Sequence, residues 1–361
     1  MIPQMEPWFG EEEAEAVSAY MRSGGWITEF QQTRAFEQAI ADYTGAKHCI
    51  VTNNGTISLT LAALALGIGA GDEVIVPNYT MIATPNSVLM IGAKPVFVDV
   101  EPETLCMDVA AARAAITPRT KAVMLVAANG RYPQAGVAAF ETLCTDHGLV
   151  LIEDSAQALG SFYPDGRHIG RAGQIGSFSF SMPKVISTGQ GGALITDDDA
   201  LAARLRKLKD FGRSGGGNDV HDSIGWNFKF TDLQAVVGLA QMKKLAWRVE
   251  RKKAIWRAYA KGLEGVSGVT LFAHDLSRTS PWFIDALCAD RDALAAHLKA
   301  RGVGSRVMYP PINTQEAYRV AGSYPVSERV GREGLWLPSA SQLRDEQIAS
   351  ICAEIRAFYT V

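Results

Sequence analysis

Seven short apolar runs rich in β-branched residues, separated by stretches with helical patterning, limit the folds open to this chain more than any other feature: Cys49-Ile50-Val51, Val74-Ile75-Val76, Val96-Phe97-Val98, Val123-Met124-Leu125-Val126, Val150-Leu151-Ile152, Phe178-Ser179-Phe180 and Ala193-Leu194-Ile195. Strand alternating with helix predicts an α/β fold. Most of the runs are apolar throughout, not at every second position, which predicts a mostly parallel sheet covered by helices on both faces. The pattern holds to about Leu245, so residues 1–247 are predicted to form one large domain. Beyond a helical stretch over 232–263, strands at 269–272 and 282–287 and helices at 291–301 and 345–359 predict a smaller α+β domain over residues 248–361. One long helix is expected to bridge the two. A chain of 361 residues suits two domains.

A net charge of −3, with both signs spread along the chain, offers no basic face for nucleic acid and no basic amphipathic helix for a membrane. The expected partner is a small molecule. The first 17 residues contain Pro, Trp and the acidic run Glu11-Glu12-Glu13 where an export signal needs basic and apolar stretches. Apolar stretches such as 59–68 fall short of the roughly 18 residues of a membrane span, and a cytoplasmic protein is expected. Five cysteines lie scattered without a CxxC pair and six histidines are equally dispersed, so reduced core thiols are expected and a metal site is not. The stretch Gly212-Arg213-Ser214-Gly215-Gly216-Gly217-Asn218 is either a mobile lid or a surface turn.

Four segments gain meaning from their order. Asn53-Asn54-Gly55-Thr56 follows the first strand and opens a helical stretch, where free N–H groups and a hydroxyl make either a phosphate cradle or an ordinary capped turn. Glu153-Asp154-Ser155-Ala156-Gln157 ends a strand, where α/β sheets present ligand-binding side chains. Asp154 there either caps a helix or keeps a pyridine nitrogen protonated, which makes the ring an electron sink. Ser177-Phe178-Ser179-Phe180-Ser181-Met182-Pro183-Lys184 precedes the glycine-rich turn Thr188-Gly189-Gln190-Gly191-Gly192. A lone loop lysine is usually a solvated cation. Its place after the phosphate turn and after Asp154 instead points to an amine that condenses with an aldehyde and shuttles a proton. Gly225-Trp226-Asn227-Phe228-Lys229-Phe230-Thr231-Asp232 leads into a helix that Thr231 or Asp232 would cap.

Together with Trp26-Ile27-Thr28, Phe36-Glu37, Gly71-Asp72-Glu73-Val74-Ile75-Val76-Pro77, Ile116-Thr117-Pro118-Arg119-Thr120-Lys121-Ala122 and Ala240-Gln241, these segments make the chain resemble the DegT/DnrJ/EryC1/StrS sugar aminotransferases, perosamine-synthase-like members in particular. The resemblance implies a fold type I aminotransferase with a mostly parallel seven-stranded sheet, and pyridoxal 5'-phosphate, alternating with its pyridoxamine form, as cofactor. Lys184 is then the lysine that carries the cofactor, Asp154 pairs with the pyridine nitrogen, Gln157 lies near the ring hydroxyl, and Gly55, Thr56 and Ser179 hold the phosphate. The resemblance further implies a homodimer with shared active sites, in which Asn227 reaches the cofactor phosphate of the neighbouring subunit. Lys229 stands where many relatives have Arg and approaches a substrate anion without the bidentate fork. Intact Lys184 argues against the 3-dehydration of relatives that carry His there.

The chain departs from the family pattern in three places. Thr80-Met81 replaces Thr followed by an aromatic residue, so Met81 would pack on the cofactor ring through its sulfur. Ala127-Ala128-Asn129-Gly130-Arg131 replaces His-Leu-Tyr-Gly-Gln, removing a His and a Tyr near the active-site entrance. Tyr309-Pro310-Pro311-Ile312-Asn313 lacks the family His, and Tyr309 either touches substrate or is a buried aromatic. The function implied is transfer of an amino group from glutamate to a nucleotide-linked 4-keto-6-deoxysugar, as in amino-sugar biosynthesis for lipopolysaccharide O-antigen. The alternatives are amination at another carbon or of a keto-cyclitol, and a pyridoxal-phosphate-binding regulator without turnover.

Overall fold

The apolar runs become buried strands because their successive side chains enter two different apolar layers. Val74, Val76, Ala122, Met124 and Ile152 enter one core together with Leu59, Leu61 and Ala62, while Ile75, Val123, Leu125 and Leu151 enter another with Phe140 and Leu143. Neither face can then be polar. A computed structural model describes residues 1–215 and 219–360 of the chain. Gly216, Gly217 and Asn218 of the glycine-rich loop lie outside the described residues.

Among the described residues, seven strands form the large sheet: β1 (His48–Thr52), β2 (Glu73–Pro77), β3 (Lys94–Val98), β4 (Thr120–Val126), β5 (Val150–Asp154), β6 (Ile175–Ser179) and β7 (Gly192–Thr196), in the order β1-β7-β6-β5-β4-β2-β3. All adjacent pairs are parallel except those of β7, which runs against both neighbours. This is the mostly parallel sheet the sequence predicts. Around it lie α1 (Glu11–Arg22), α2 (Gln31–Thr44), α3 (Gly55–Ala65), α4 (Ala83–Leu89), α5 (Val109–Ala114), α6 (Val137–His147), α7 (Asp199–Lys209) and α8 (Asp232–Met242).

The helical stretch expected over 232–263 is broken at Lys243 and Lys244 into α8 and α9 (Leu245–Gly262). Lys244 is drawn aside to Glu12 and Glu13 of α1, with amine to carboxylate distances of 2.9 and 2.8 Å. Helix α9 passes from one core to another: Leu245 and Val249 pack with Phe36 and Phe180, whereas Ile255 and Tyr259 pack under a second sheet. That sheet is antiparallel, in the order β10 (Arg306–Val307), β11 (Gly334–Leu337), β9 (Ile284–Cys288), β8 (Val269–Leu271). Helices α10 (Arg291–Ala300), α11 (Pro325–Glu333) and α12 (Asp345–Thr360) complete the fold. Among the described residues no helix is long and apolar enough to cross a membrane.

Candidate active site

The carboxyl ends of β4, β5 and β6 open onto a cavity of about 400 Å³, the place where open α/β sheets take ligands. Beyond Thr52 at the end of β1 the chain turns through Asn53 and Asn54 into α3. Asn54 has extended backbone and its side-chain oxygen accepts the N–H of Ile57 at 2.9 Å. The cap thus satisfies a deeper N–H and leaves those of Gly55 and Thr56, which line the cavity, without a partner among the described residues. The capped turn thus leaves two N–H groups at the cavity, as an anion cradle requires. A Cβ on Gly55 would lie 2.9 Å from that of Ser179, and one on Gly192 would lie 2.2 Å from Ser58 Oγ and 2.6 Å from the Asn54 carbonyl oxygen. Both glycines let α3 start against β6 and β7.

Asp154 ends β5 and is buried. Its carboxylate accepts a hydrogen bond from Thr84 Oγ1 at 2.7 Å and from the Ala156 N–H at 3.2 Å, and Thr84 is in turn bonded to Thr80 at 2.8 Å. Burial pushes the Asp154 carboxyl above the usual carboxylate range, with the Thr84 and Ala156 bonds and the Lys184 charge opposing. Lys184 follows Pro183 in the loop after β6, and its amine makes no hydrogen bond among the described residues. Burial pulls it down to about 8, against the attraction of Asp154. The amine lies 4.3 Å from the centre of the Trp282 ring. Trp282 is held in turn by its indole N–H on the Pro183 carbonyl oxygen, at 2.6 Å, and by stacking on Phe283.

Gly55, Thr56, Met81, Asp154, Gln157, Ser179, Lys184 and Tyr309 all line this one cavity. Gln157 presents its side-chain oxygen to the Asn129 N–H at 2.6 Å. Ser179 Oγ lies 3.3 Å from Ser181 Oγ. Tyr309 packs edge-on against Trp336. Two predicted residues stand outside. Asn227 is exposed, pairing through its backbone with Asp210, and Lys229 donates to the Asp210 carboxylate at 2.7 Å. Sequence reading missed Trp282, Arg306 and Thr84. The first two come from the second sheet and its approach, and the local pattern around them carries no sign of a site. Thr84 was signalled only by its closeness to Thr80 and Met81.

The departures at Ala127–Arg131 and Asn313 are joints between the sheets. Asn129 exchanges hydrogen bonds with the Phe283 backbone, at 2.6 and 2.9 Å. Arg131 is buried and forks onto Asp285 of β9 at 2.7 and 3.2 Å. Asn313 and Asn78 exchange two hydrogen bonds, at 2.8 and 2.9 Å. The side chains of Ala127, Ala128, Asn129 and Arg131 are buried, and Asn129 holds the backbone of Trp282 and Phe283 beside the cavity.

The residues fit pyridoxal phosphate. Unpaired N–H groups and hydroxyls at α3 and β6 suit a phosphate, a buried carboxylate lacking a full set of donors suits a pyridine N–H, and an unbonded amine of lowered basicity suits an aldehyde. The family model of DegT/DnrJ/EryC1/StrS aminotransferases matches residues 7–356. The GDP-perosamine synthase of Escherichia coli O157:H7 is 34% identical over 363 residues, covering 99% of each chain. That of Caulobacter vibrioides is 36% identical over 329 residues, 89% of this chain and 88% of the relative. Among solved structures, DesI in the presence of its TDP-sugar product has a TM-score of 0.91 at 31% identity, over 100% of this chain and 93% of that one.

Proposed function

The chain belongs to the DegT/DnrJ/EryC1/StrS aminotransferase family, and on that premise we propose that it moves the amino group of L-glutamate onto a nucleotide-linked 4-keto-6-deoxysugar. It is a sugar aminotransferase that works with pyridoxal phosphate. Two relatives are named for GDP-perosamine and a third was solved with a TDP-sugar product, which supports an acceptor carried on a nucleoside diphosphate. One observation carries the reading: the unpaired start of α3, the buried Asp154 and the unbonded amine of Lys184 converge on a single cavity.

Pyridoxal phosphate supplies an aldehyde that captures amines and a ring that stores the electron pair left when a C–H bond breaks. Gly55, Thr56 and Ser179 would hold its phosphate, Asp154 the pyridine nitrogen, Gln157 the ring hydroxyl and Met81 a ring face. The buried Asp154 carboxylate would keep a proton on the pyridine nitrogen. In each half-reaction Lys184 Nζ would carry the proton between the substrate carbon and the cofactor, taking it from the donor's amine-bearing carbon in the first half and giving one to the acceptor carbon in the second. An amine brought down to about 8 is available in both protonation states near neutrality. Trp282 covers the amine on one side and excludes water there.

The proposal includes a homodimer with shared sites, with Asn227 and Lys229 serving the neighbouring cavity. Their position outside their own cavity supports it, as do the exposed Trp26, Ile27, Phe30, Ile224 and Trp226. A cytoplasmic setting accords with the five free, buried cysteines. The test is a pair of half-reactions followed by absorbance on protein that should sediment as a dimer. Glutamate is expected to convert the cofactor to its amine form, one nucleotide-linked keto sugar to restore it, and Lys184→Ala to abolish both. If glutamate works and no keto sugar does, the acceptor is of another class, such as a keto-cyclitol. If glutamate leaves the wild-type spectrum unchanged, the transaminase reading with this donor fails.

A further inference from the structure

The cavity holds a cation that the chemistry above leaves unused. Arg306 sits on β10 opposite Trp336 of β11, and its guanidinium lies over the Trp336 ring, 5.5 Å from the centroid. Trp336 is buried and wedged edge-on against Tyr309 at 4.7 Å and Trp282 at 5.8 Å. The arginine is thus laid on a fixed aromatic surface while it lines the same cavity as Lys184. Arg306 is solvent-exposed at the mouth of the cavity, and its side chain forms no hydrogen bond or ion pair among the described residues, so the guanidinium is open to an incoming anion. A guanidinium offers five donors in a rigid fork and stays charged throughout the accessible pH range.

We infer that Arg306 is the anion anchor of the active site, gripping through two parallel N–H···O bonds a carboxylate of the amino donor, the diphosphate of the acceptor, or each in turn. The inference rests on the transaminase reading. The two substrates of such a reaction occupy one cavity alternately, and each carries an anion: glutamate a carboxylate on the reacting carbon itself, the nucleotide sugar a diphosphate on the far side of the sugar ring from the keto carbon. Lys184, the other cation lining the cavity among the described residues, is engaged in carbonyl chemistry. Arg306 remains as this chain's fixed positive charge for both substrates. The Tyr309 hydroxyl stands beside it as a neutral donor, since burial keeps the phenol protonated even with Arg306 close by.

The test uses the holoenzyme, Arg306→Gln and Arg306→Lys. Each half-reaction is followed separately under single turnover, and the binding of glutarate and of GDP is measured by calorimetry. Loss of a charge-assisted fork is expected to raise the half-saturating concentration roughly ten- to a hundred-fold with the limiting rate little changed. Lysine should recover only part of that, having no fork. Weakening confined to glutamate and glutarate assigns the carboxylate, weakening confined to the keto sugar and GDP assigns the diphosphate, and weakening of all four assigns a shared subsite. Unchanged binding of all four to a folded Arg306→Gln protein overturns the inference, as does an effect on limiting rates alone. A wild-type protein that binds glutarate or GDP but transfers no amine fails the functional reading, while its binding arm still decides on Arg306. If the wild type binds neither, there is no anion to anchor and the inference falls.

Discussion

Lys184 and Asp154 share one cavity, and burial works against the charge of both. For Lys184 the consequence can be measured without the cofactor. Its amine is brought down to about 8 from the ordinary lysine value of 10.5, so the folded chain holds this proton less tightly than the unfolded chain does. Below about pH 8 the amine is charged in both states and the full penalty is present. Between about 8 and 10.5 the unfolded chain keeps a proton that the folded chain has released, so stability from this group rises with pH, and above that window the penalty is gone. Lys184→Met removes the charge without removing a hydrogen bond. The cofactor-free variant is therefore expected to be about 2–3 kcal/mol more stable than the cofactor-free wild type near pH 7, with the gap closing towards about pH 10.5. Urea unfolding of both proteins across that range measures it. A gap that does not change with pH would assign the gain to methionine packing and not to the relieved charge.

At the scale of elements, the start of α3 is shaped for a ligand more than for stability. Gly55→Ala places a Cβ 2.9 Å from Ser179 Cβ, so the first turn of α3 or the end of β6 must shift. Alanine is the better helix former, by less at this first helical position than the roughly 1 kcal/mol of a helix interior, and this partly offsets the crowding in the cofactor-free protein. The variant is expected to unfold within about 1 kcal/mol of the wild type while its affinity for pyridoxal phosphate falls roughly ten-fold or more, read by titrating the cofactor-free protein with the cofactor. Unaltered affinity would show that the phosphate is held elsewhere. The same elements explain what could be read from the sequence. Runs such as Val74-Ile75-Val76 announce themselves because each side chain meets an apolar layer whichever face it takes. Gly55, Asp154 and Lys184 were legible because each sits where a large-sheet strand gives way to a loop, in a collinear order that few chains share. Trp282 and Arg306 were not, because packing of the second sheet brings them to the cavity. The two-residue β10 and the four-residue β11 are too short to show a period of two, and no proline or glycine marks the break between α8 and α9.

At the scale of the whole molecule, Asn129 and Arg131, together with Lys252, tie the two sheets together. A division at residue 247/248, which we retain as a proposal, falls inside α9, so the helix itself gives no hinge. Lys252 of that helix donates to the carbonyl oxygens of Trp282 and Ser339, and Asn129 brackets Phe283. Arg131 is the tightest of these ties, bonded at once to Asp285, to the Thr104 carbonyl oxygen at 2.7 Å and to His274. Burial and the Arg131 charge hold His274 far below its ordinary value, so it accepts as a neutral ring. Removing one partner of a buried pair strands the other charge. Arg131→Met and Asp285→Leu are each expected to cost about 3–5 kcal/mol, and the double variant far less than the sum of the two. Urea unfolding of the four proteins gives the coupling directly. The functional arm follows from the same geometry. Asp285 lies in β9 just beyond Trp282 and Phe283, so loosening the pair frees Trp282 from its place over Lys184, and the single variants should need more glutamate for half-saturation even where they remain folded. Additive stability losses with unchanged glutamate dependence would mean that Asn129, Lys252 and the Asn78–Asn313 pair fix the sheets without Arg131.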